Sequence, residues 1–283
     1  MLSKETPHSY CAAAVRRADP DRFLCALFAP AAARESLFAL YAFNLEIASV
    51  REVVREAPLG SMRLQWWRDA IVGMQLGRVA KHPVAEALAA AFSRSRFTVD
   101  SFESLLVGRE FDLGDSPPET LDALINYVDQ TSVSLVTLAL EAIDVAKGAA
   151  FSAARHVGVA WALIGLLRAV PFHARSRRAY LPRDLMKRHG VTYTALFDLR
   201  PQPGVRGVSR ELLILAEDHL RQARSLRADI PKNAISALLP AAFADADIKC
   251  LNRASHDPFD PRVARRGIGR QCRVVWRGLA GRF

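Results

Sequence analysis

The chain has 283 residues, 51% of them apolar, which is enough to bury the core of one large domain and excludes a disordered or low-complexity protein. Lysine and arginine outnumber aspartate and glutamate by 39 to 29, and the net charge of +10 suits an acidic partner, an anionic lipid surface or a phosphorylated ligand. No nucleic-acid-binding motif accompanies the charge, so nucleic acid is not among the expected partners.

Helical periodicity recurs along the chain and no alternating strand pattern competes with it. After a start of about 20 residues read as an N-terminal extension (1–20), a short helix spans 21–28 and stops at Pro30. A long helix follows over 31–55, ended by Pro58-Leu59-Gly60. The next covers 61–76, with Ser61 in the N-cap position. Further helices are expected over 83–95, 99–113, 118–143 and 149–170, the last closed by Pro171. A basic, less regular stretch runs from His173 to Arg178, and Arg200-Pro201-Gln202-Pro203-Gly204 reads as a loop. Helices resume over 208–228, 231–254 and 261–278 with the same character. The expectation is therefore one domain over 21–283. Gly267-Ile268-Gly269 follows no strand and is read as a loop or helix-end feature.

Cys11, Cys25, Cys250 and Cys272 form no CxxC pair and have no histidine at ligand spacing. A disulfide framework or metal site is not expected, and a reducing compartment fits. The first ten residues lack the apolar core of a signal peptide, and apolar runs such as 157–167 fall short of the roughly 20 residues of a spanning helix. A bacterial cytoplasmic protein, peripheral at the inner membrane at most, is the expectation. Basic residues crowd the stretch from Arg253 to Arg282, with Trp276 and Phe283 among them, a composition that can lie on a membrane surface.

No nucleophile elbow, phosphate loop or HExxH is present. Five segments in order nevertheless resemble the squalene/phytoene synthase family. They are 34–43 (Arg-Glu-Ser-Leu-Phe-Ala-Leu-Tyr-Ala-Phe), 63–68 (Arg-Leu-Gln-Trp-Trp-Arg), 108–113 (Gly-Arg-Glu-Phe-Asp-Leu), 158–168, and 180–184 (Tyr-Leu-Pro-Arg-Asp). The resemblance implies an all-α, single-domain isoprenoid-synthase-like helical bundle around a central cavity. In active members, it further implies, two aspartate-rich motifs face each other across that cavity and hold Mg²⁺ against the diphosphates of two isoprenoid substrates. Mg²⁺ requires oxygen ligands in near-octahedral geometry, and carboxylates four residues apart share a helix face.

This sequence departs from the family at those positions. Ala48 and Ser49 stand where an aspartate pair is expected, and only Glu52 keeps a carboxylate. In the second motif Ala169 and His173 replace both aspartates, and Gly165 replaces a polar residue one turn earlier. No catalytic residue and no cofactor are expected; Mg²⁺ enters only if the chain were an active prenyltransferase. The segments 42–46, 167–173 and 131–135 resemble the branch of the family containing the mitochondrial complex I assembly factor with a phytoene-synthase-like domain and its bacterial counterparts. That resemblance implies a pseudoenzyme that assists complex I assembly, with complex I subunits or assembly intermediates as partners. The alternatives are an active prenyltransferase and a lipid or isoprenoid carrier.

Phe43, Glu52, Arg168, His173, Arg177, Arg178 and Tyr180 are the candidates for a pocket or anion site, with Leu45, Trp161, Leu166 and Phe172 as further apolar lining. Arg168 ends an apolar helix; it is read as paired with a buried carboxylate such as Glu52, or as holding an anion. His173 is read as a surface or capping histidine and Arg175, Arg177 and Arg178 as a solvated loop. Glu110 and Asp112 do not share a helix face and are assigned to nearby arginines. One of Trp66 and Trp67 is expected in the core and the other at a contact surface.

Overall fold

A computed structural model describes residues 7–283 apart from Arg55, Ala146, Pro201 and Arg266. Residues 1–6, the helix end expected at Arg55 and the loop residue Pro201 therefore lie outside the described residues. In chain order the helices are α1 (Pro7–Ala18), α2 (Pro20–Ala26), α3 (Ala31–Ala48), α4 (Val50–Val53), α5 (Ala57–Gln75), α6 (Pro83–Phe92), α7 (Val99–Phe111), α8 (Leu121–Val128), α9 (Ser134–Ala142), α10 (Ala149–Arg175), α11 (Arg183–Arg188), α12 (Tyr193–Phe197), α13 (Pro203–Ser225), α14 (Ile235–Leu238), α15 (Pro240–Arg253), α16 (Pro261–Ala264) and α17 (Ile268–Leu279). No strand occurs among the described residues.

Two helices organise the bundle. The first, α3, is apolar around most of its circumference, and every residue from Ser36 to Asn44 is buried, as suits a helix enclosed on all sides. It packs against α1, α6 and α9. The second, α10, is about 40 Å long and packs against α13, α15 and α9. Its best window has a mean hydropathy of 1.5, so by length and composition it could cross a membrane, but half of that window is buried inside the bundle. Here it is the hub of the core.

Proline punctuation explains several differences from the sequence reading. Pro58 sits in the first turn of α5, where its missing N–H removes no helical bond. That helix thus starts at Ala57, and the Ser61 hydroxyl donates back to the Ala57 carbonyl at 3.3 Å instead of capping. Pro171 lies inside α10 and does not end it. Buried Val170 and Ala174 on either side anchor the last turn against the core and offset the bond lost at the proline. The segment read as 31–55 breaks at Ser49, whose hydroxyl donates to the Glu46 carbonyl at 3.2 Å. Within 1–20, α1 is an integral helix: Cys11 and Val15, one turn apart, are fully buried against α3 and α6. Burial also pushes the Cys11 thiol up to about 12.

The helix read as 118–143 is interrupted by a π-helical turn, Asp129–Val133. Two glycines make room for it. A Cβ on Gly158 of α10 would meet the Val133 Cα at 2.8 Å, and one on Gly108 of α7 would meet the Thr131 Cγ2 at 2.6 Å. The first contact is with backbone, which cannot yield as a side chain can. Gly158→Ala should therefore destabilise by about 1–3 kcal/mol despite alanine's better helix propensity. Urea denaturation checks this; a stabilised variant would show that α10 and the π turn are not closely packed.

An aromatic cluster fills the core beside α3. Phe43 meets Trp67 edge-on at 5.2 Å and Phe102 at 5.4 Å, and Phe92 stacks on Phe102 at 5.2 Å. Trp67 is 1% exposed and Trp66 40%, so the adjacent tryptophans divide between core and surface as their helical spacing requires.

Candidate functional site

Between α3 and α10 lies a cavity of about 480 Å³. The α10 wall is built at helical spacing from Trp161, Ala162, Gly165, Leu166, Arg168 and Ala169. Asn44 faces it from α3, Arg109 from α7, Tyr127 from α8, and Thr131 and Ser132 from the π turn. Asp19, Asp21 and Arg22, at the start of α2, close one end.

Every carboxylate at this cavity is already engaged. Asp19 caps α2, accepting from the Arg22 backbone N–H at 3.0 Å and from its guanidinium at 2.6 Å. Asp21 accepts from Arg270 at 2.6 Å. Arg270 also forks onto Asp247, with both contacts at 2.8 Å, and Asp247 accepts a third bond from Arg168 at 3.0 Å. The Arg270 guanidinium lies 4.1 Å above the Phe243 ring. Burial opposes its charge, but the two aspartates hold its pKa above the ordinary value.

On the other side, buried Asp112 gathers four donors. One carboxylate oxygen accepts from the Tyr127 hydroxyl at 2.9 Å and the Tyr180 hydroxyl at 2.6 Å; the other accepts from Arg109 at 3.0 Å. Its backbone carbonyl accepts from Arg178. Burial, together with the Asp112 charge, raises the pKa of both tyrosines. Four arginines (22, 109, 168, 270) thus balance four aspartates (19, 21, 112, 247). Three polar atoms on the cavity wall, Arg109 Nε, Arg168 Nε and Ser132 Oγ, are buried without a hydrogen-bond partner.

The candidate residues separate into distinct groups. Arg168 and Ala169 line the cavity with Gly165, Trp161 and Leu166. The partner of Arg168 is Asp247 and not Glu52, which is exposed on α4. Ala48 is half-buried at the end of α3 and off the cavity wall; Asn44, one turn earlier, faces α10 instead. Phe43 belongs to the aromatic core and Phe172 is 56% exposed, so neither lines the cavity. Because α10 continues past Pro171, His173 points inward from its last turn and sits 4.7 Å from the Tyr180 ring, neither a cap nor a surface residue. Arg178 and Tyr180 join it around Asp112. Arg177 is exposed and lies 5.6 Å over Phe197, and Arg175 is exposed. Glu110 and Asp112 pair with Arg68 and Arg109, both at 3.0 Å, as their spacing suggested.

The donor chemistry of the two facing helices does not fit a Mg²⁺ cluster. Asn44, Gly165 and Ala169 present one amide oxygen between them, and the cavity aspartates are taken by arginines. No group of three or more His, Cys, Asp or Glu suited to a metal occurs among the described residues.

The setting of His173 has a consequence in acid. Burial, with the Arg178 charge beside it, lowers its pKa to about 4. An unfolded histidine titrates near 6.5, so between those values the unfolded chain binds a proton that the fold does not. Stability is therefore lost as pH falls from about 6.5 toward 4, by roughly 1–3 kcal/mol from this residue. His156 and His219, 2.9 Å apart across α10 and α13, are also lowered, first by burial, and add the same sign. His173→Phe should flatten the dependence of melting temperature on pH over this range; an unchanged slope would place the histidine's proton elsewhere.

The chain matches the squalene/phytoene synthase family over residues 15–276. It is 32% identical over 261 residues to NADH dehydrogenase (ubiquinone) complex I, assembly factor 6 of Mus musculus, covering 92% of this chain and 78% of that protein. A presqualene diphosphate synthase of Rhodopseudomonas palustris is 24% identical over 212 residues, 74% of each chain. Among solved structures, a dehydrosqualene synthase in complex with ligand superposes with a TM-score of 0.82 at 20% identity, covering 97% of this chain and 95% of that one. The order of the helices, the cavity between α3 and α10 and the match along nearly its whole length agree: the chain belongs to the squalene/phytoene synthase family.

Proposed function

We propose that this protein is a non-catalytic member of its family that assists the assembly of respiratory complex I. The observation that carries the proposal is a cavity kept without metal-holding chemistry: Gly165 and Ala169 line it, Ala48 and Ser49 stand at the other motif, and arginines occupy its aspartates. Similarity to the mouse assembly factor, higher and more extensive than to the presqualene diphosphate synthase, supports the same reading. The partners would be complex I subunits or assembly intermediates, and no Mg²⁺ would be required. We place the protein in the bacterial cytoplasm, at the inner-membrane surface. Deleting the gene tests this: NADH:ubiquinone oxidoreductase activity should fall while isoprenoid content stays unchanged. Normal activity with a lost isoprenoid would overturn it in favour of the enzyme.

One observation favours a ligand within this role. The cavity is of ligand size, is lined on α10 by Trp161, Ala162, Leu166 and Ala169 beside Arg168, and carries the three unpartnered donors of Arg109, Arg168 and Ser132. A lipid or isoprenoid with a polar head group would satisfy them. Native mass spectrometry of gently purified protein should then show adduct mass.

A further inference from the structure

The helix α17 packs one side onto α2 and α15 and leaves the other open. A groove of about 650 Å³ runs between α2 and α17, formed mainly by Phe23, Leu24, Leu27, Val275, Trp276 and Leu279. Three of these side chains project far from the protein: Trp276 is 64% exposed, Leu279 77% and Leu27 40%. They come from two elements, so the apolar face is a built surface and not one stray residue.

Its charge has a single sign. Residues 261–283 contain seven arginines and no aspartate or glutamate. Arg262, Arg270 and Arg277 are held by Asp260, by Asp21 with Asp247, and by Asp245. Arg273 and Arg282 have no ion-pair partner among the described residues. Across the groove Arg16 lines the wall and Arg17 is exposed beside it; among the described residues no carboxylate lines it. A short amphipathic helix with arginines on its flanks, tryptophan and leucine on its free face and no acidic residue matches the interface of a lipid bilayer. There the apolar side chains enter the acyl boundary and the arginines reach anionic head groups.

We infer that the face formed by α2 and α17 docks the protein on an anionic lipid surface through Leu27, Trp276 and Leu279, with Arg16, Arg17, Arg273 and Arg282 around them. This docking does not depend on the assembly role, because it concerns a different surface from the cavity and is read on lipid alone.

The test uses the whole purified chain and vesicles of phosphatidylcholine, with or without an equal part of phosphatidylglycerol. Flotation should recover the protein with the anionic vesicles at low salt, and binding should weaken roughly tenfold or more in neutral vesicles or high salt. An environment-sensitive dye on exposed Cys272, in a Cys250→Ser background, should shift to the blue on binding; Cys11 and Cys25 are buried. W276E combined with L279E should reduce binding at least about tenfold, and R16E with R282E should remove its salt dependence. Both pairs are exposed, so circular dichroism should stay unchanged. No binding to anionic vesicles, or equal binding by the W276E/L279E variant, would overturn the inference. So would a concentration-dependent dimer in light scattering that W276E/L279E dissolves, since the face would then belong to a second copy.

Discussion

Arg270→Ala should destabilise the fold by about 3–5 kcal/mol, because it leaves two buried carboxylates without their cation. Asp21 and Asp247 are 5% and 6% exposed and Arg270 is 9% exposed. Without the guanidinium, Asp247 retains only Arg168, and Asp21 loses its charged partner. The stacking of Arg270 on Phe243 disappears as well. Arg270→Lys should recover only part of the loss, since a point charge cannot fork onto both oxygens of Asp247. Combining Arg270→Met with Asp21→Asn should recover more, because Asp21 then carries no uncompensated charge while Asp247 keeps Arg168. The midpoint of urea unfolding reads these differences if its slope is unchanged. A loss below about 1 kcal/mol for Arg270→Ala would mean that the network is hydrated and not buried.

Asp112→Ala should have an effect of similar size, about 3–5 kcal/mol, by a different route. Here the carboxylate is the centre and its donors are stranded: the hydroxyls of Tyr127 and Tyr180, and Arg109, whose side chain is 16% exposed. Although burial disfavours its charge, Arg109 has its pKa raised by Tyr127 and Asp112 beside it. Removal of Asp112 therefore leaves a cation with no nearby counter-charge at the cavity wall. Asp112→Asn keeps an acceptor for the tyrosines and loses the charge, and should cost roughly half as much. Equal costs for the two variants would show that charge, and not hydrogen bonding, accounts for the whole effect.

The helical pattern was legible wherever burial has a period. In α3 and α10, which are enclosed on most sides, the long apolar run itself and not a period marks the helix, and the departures at Ala48, Ser49, Gly165 and Ala169 stand out in the order of segments. Helix ends were less legible, because proline has two meanings: Pro58 and Pro203 open helices, whereas Pro171 is carried within one by tertiary packing. The π turn left no mark in apolar spacing, and only Gly108 and Gly158 hint at the room it needs. The ion network was hidden for a topological reason. Asp21 and Arg270 are 249 positions apart and meet only when the last helix closes onto the second. Arg270 was indistinguishable in sequence from its solvated neighbours in the basic tail. For Arg168 the sequence leaves an ion pair and an anion site both open, and spacing along one chain does not single out Asp247, its partner in the fold.

On this reading the fold persists without the family's metal-dependent chemistry. The most direct measurement is diphosphate release by purified protein supplied with farnesyl or geranylgeranyl diphosphate across a Mg²⁺ titration. No release above the protein-free rate is expected at any Mg²⁺ concentration. Mg²⁺-dependent release accompanied by a condensed isoprenoid product would contradict it.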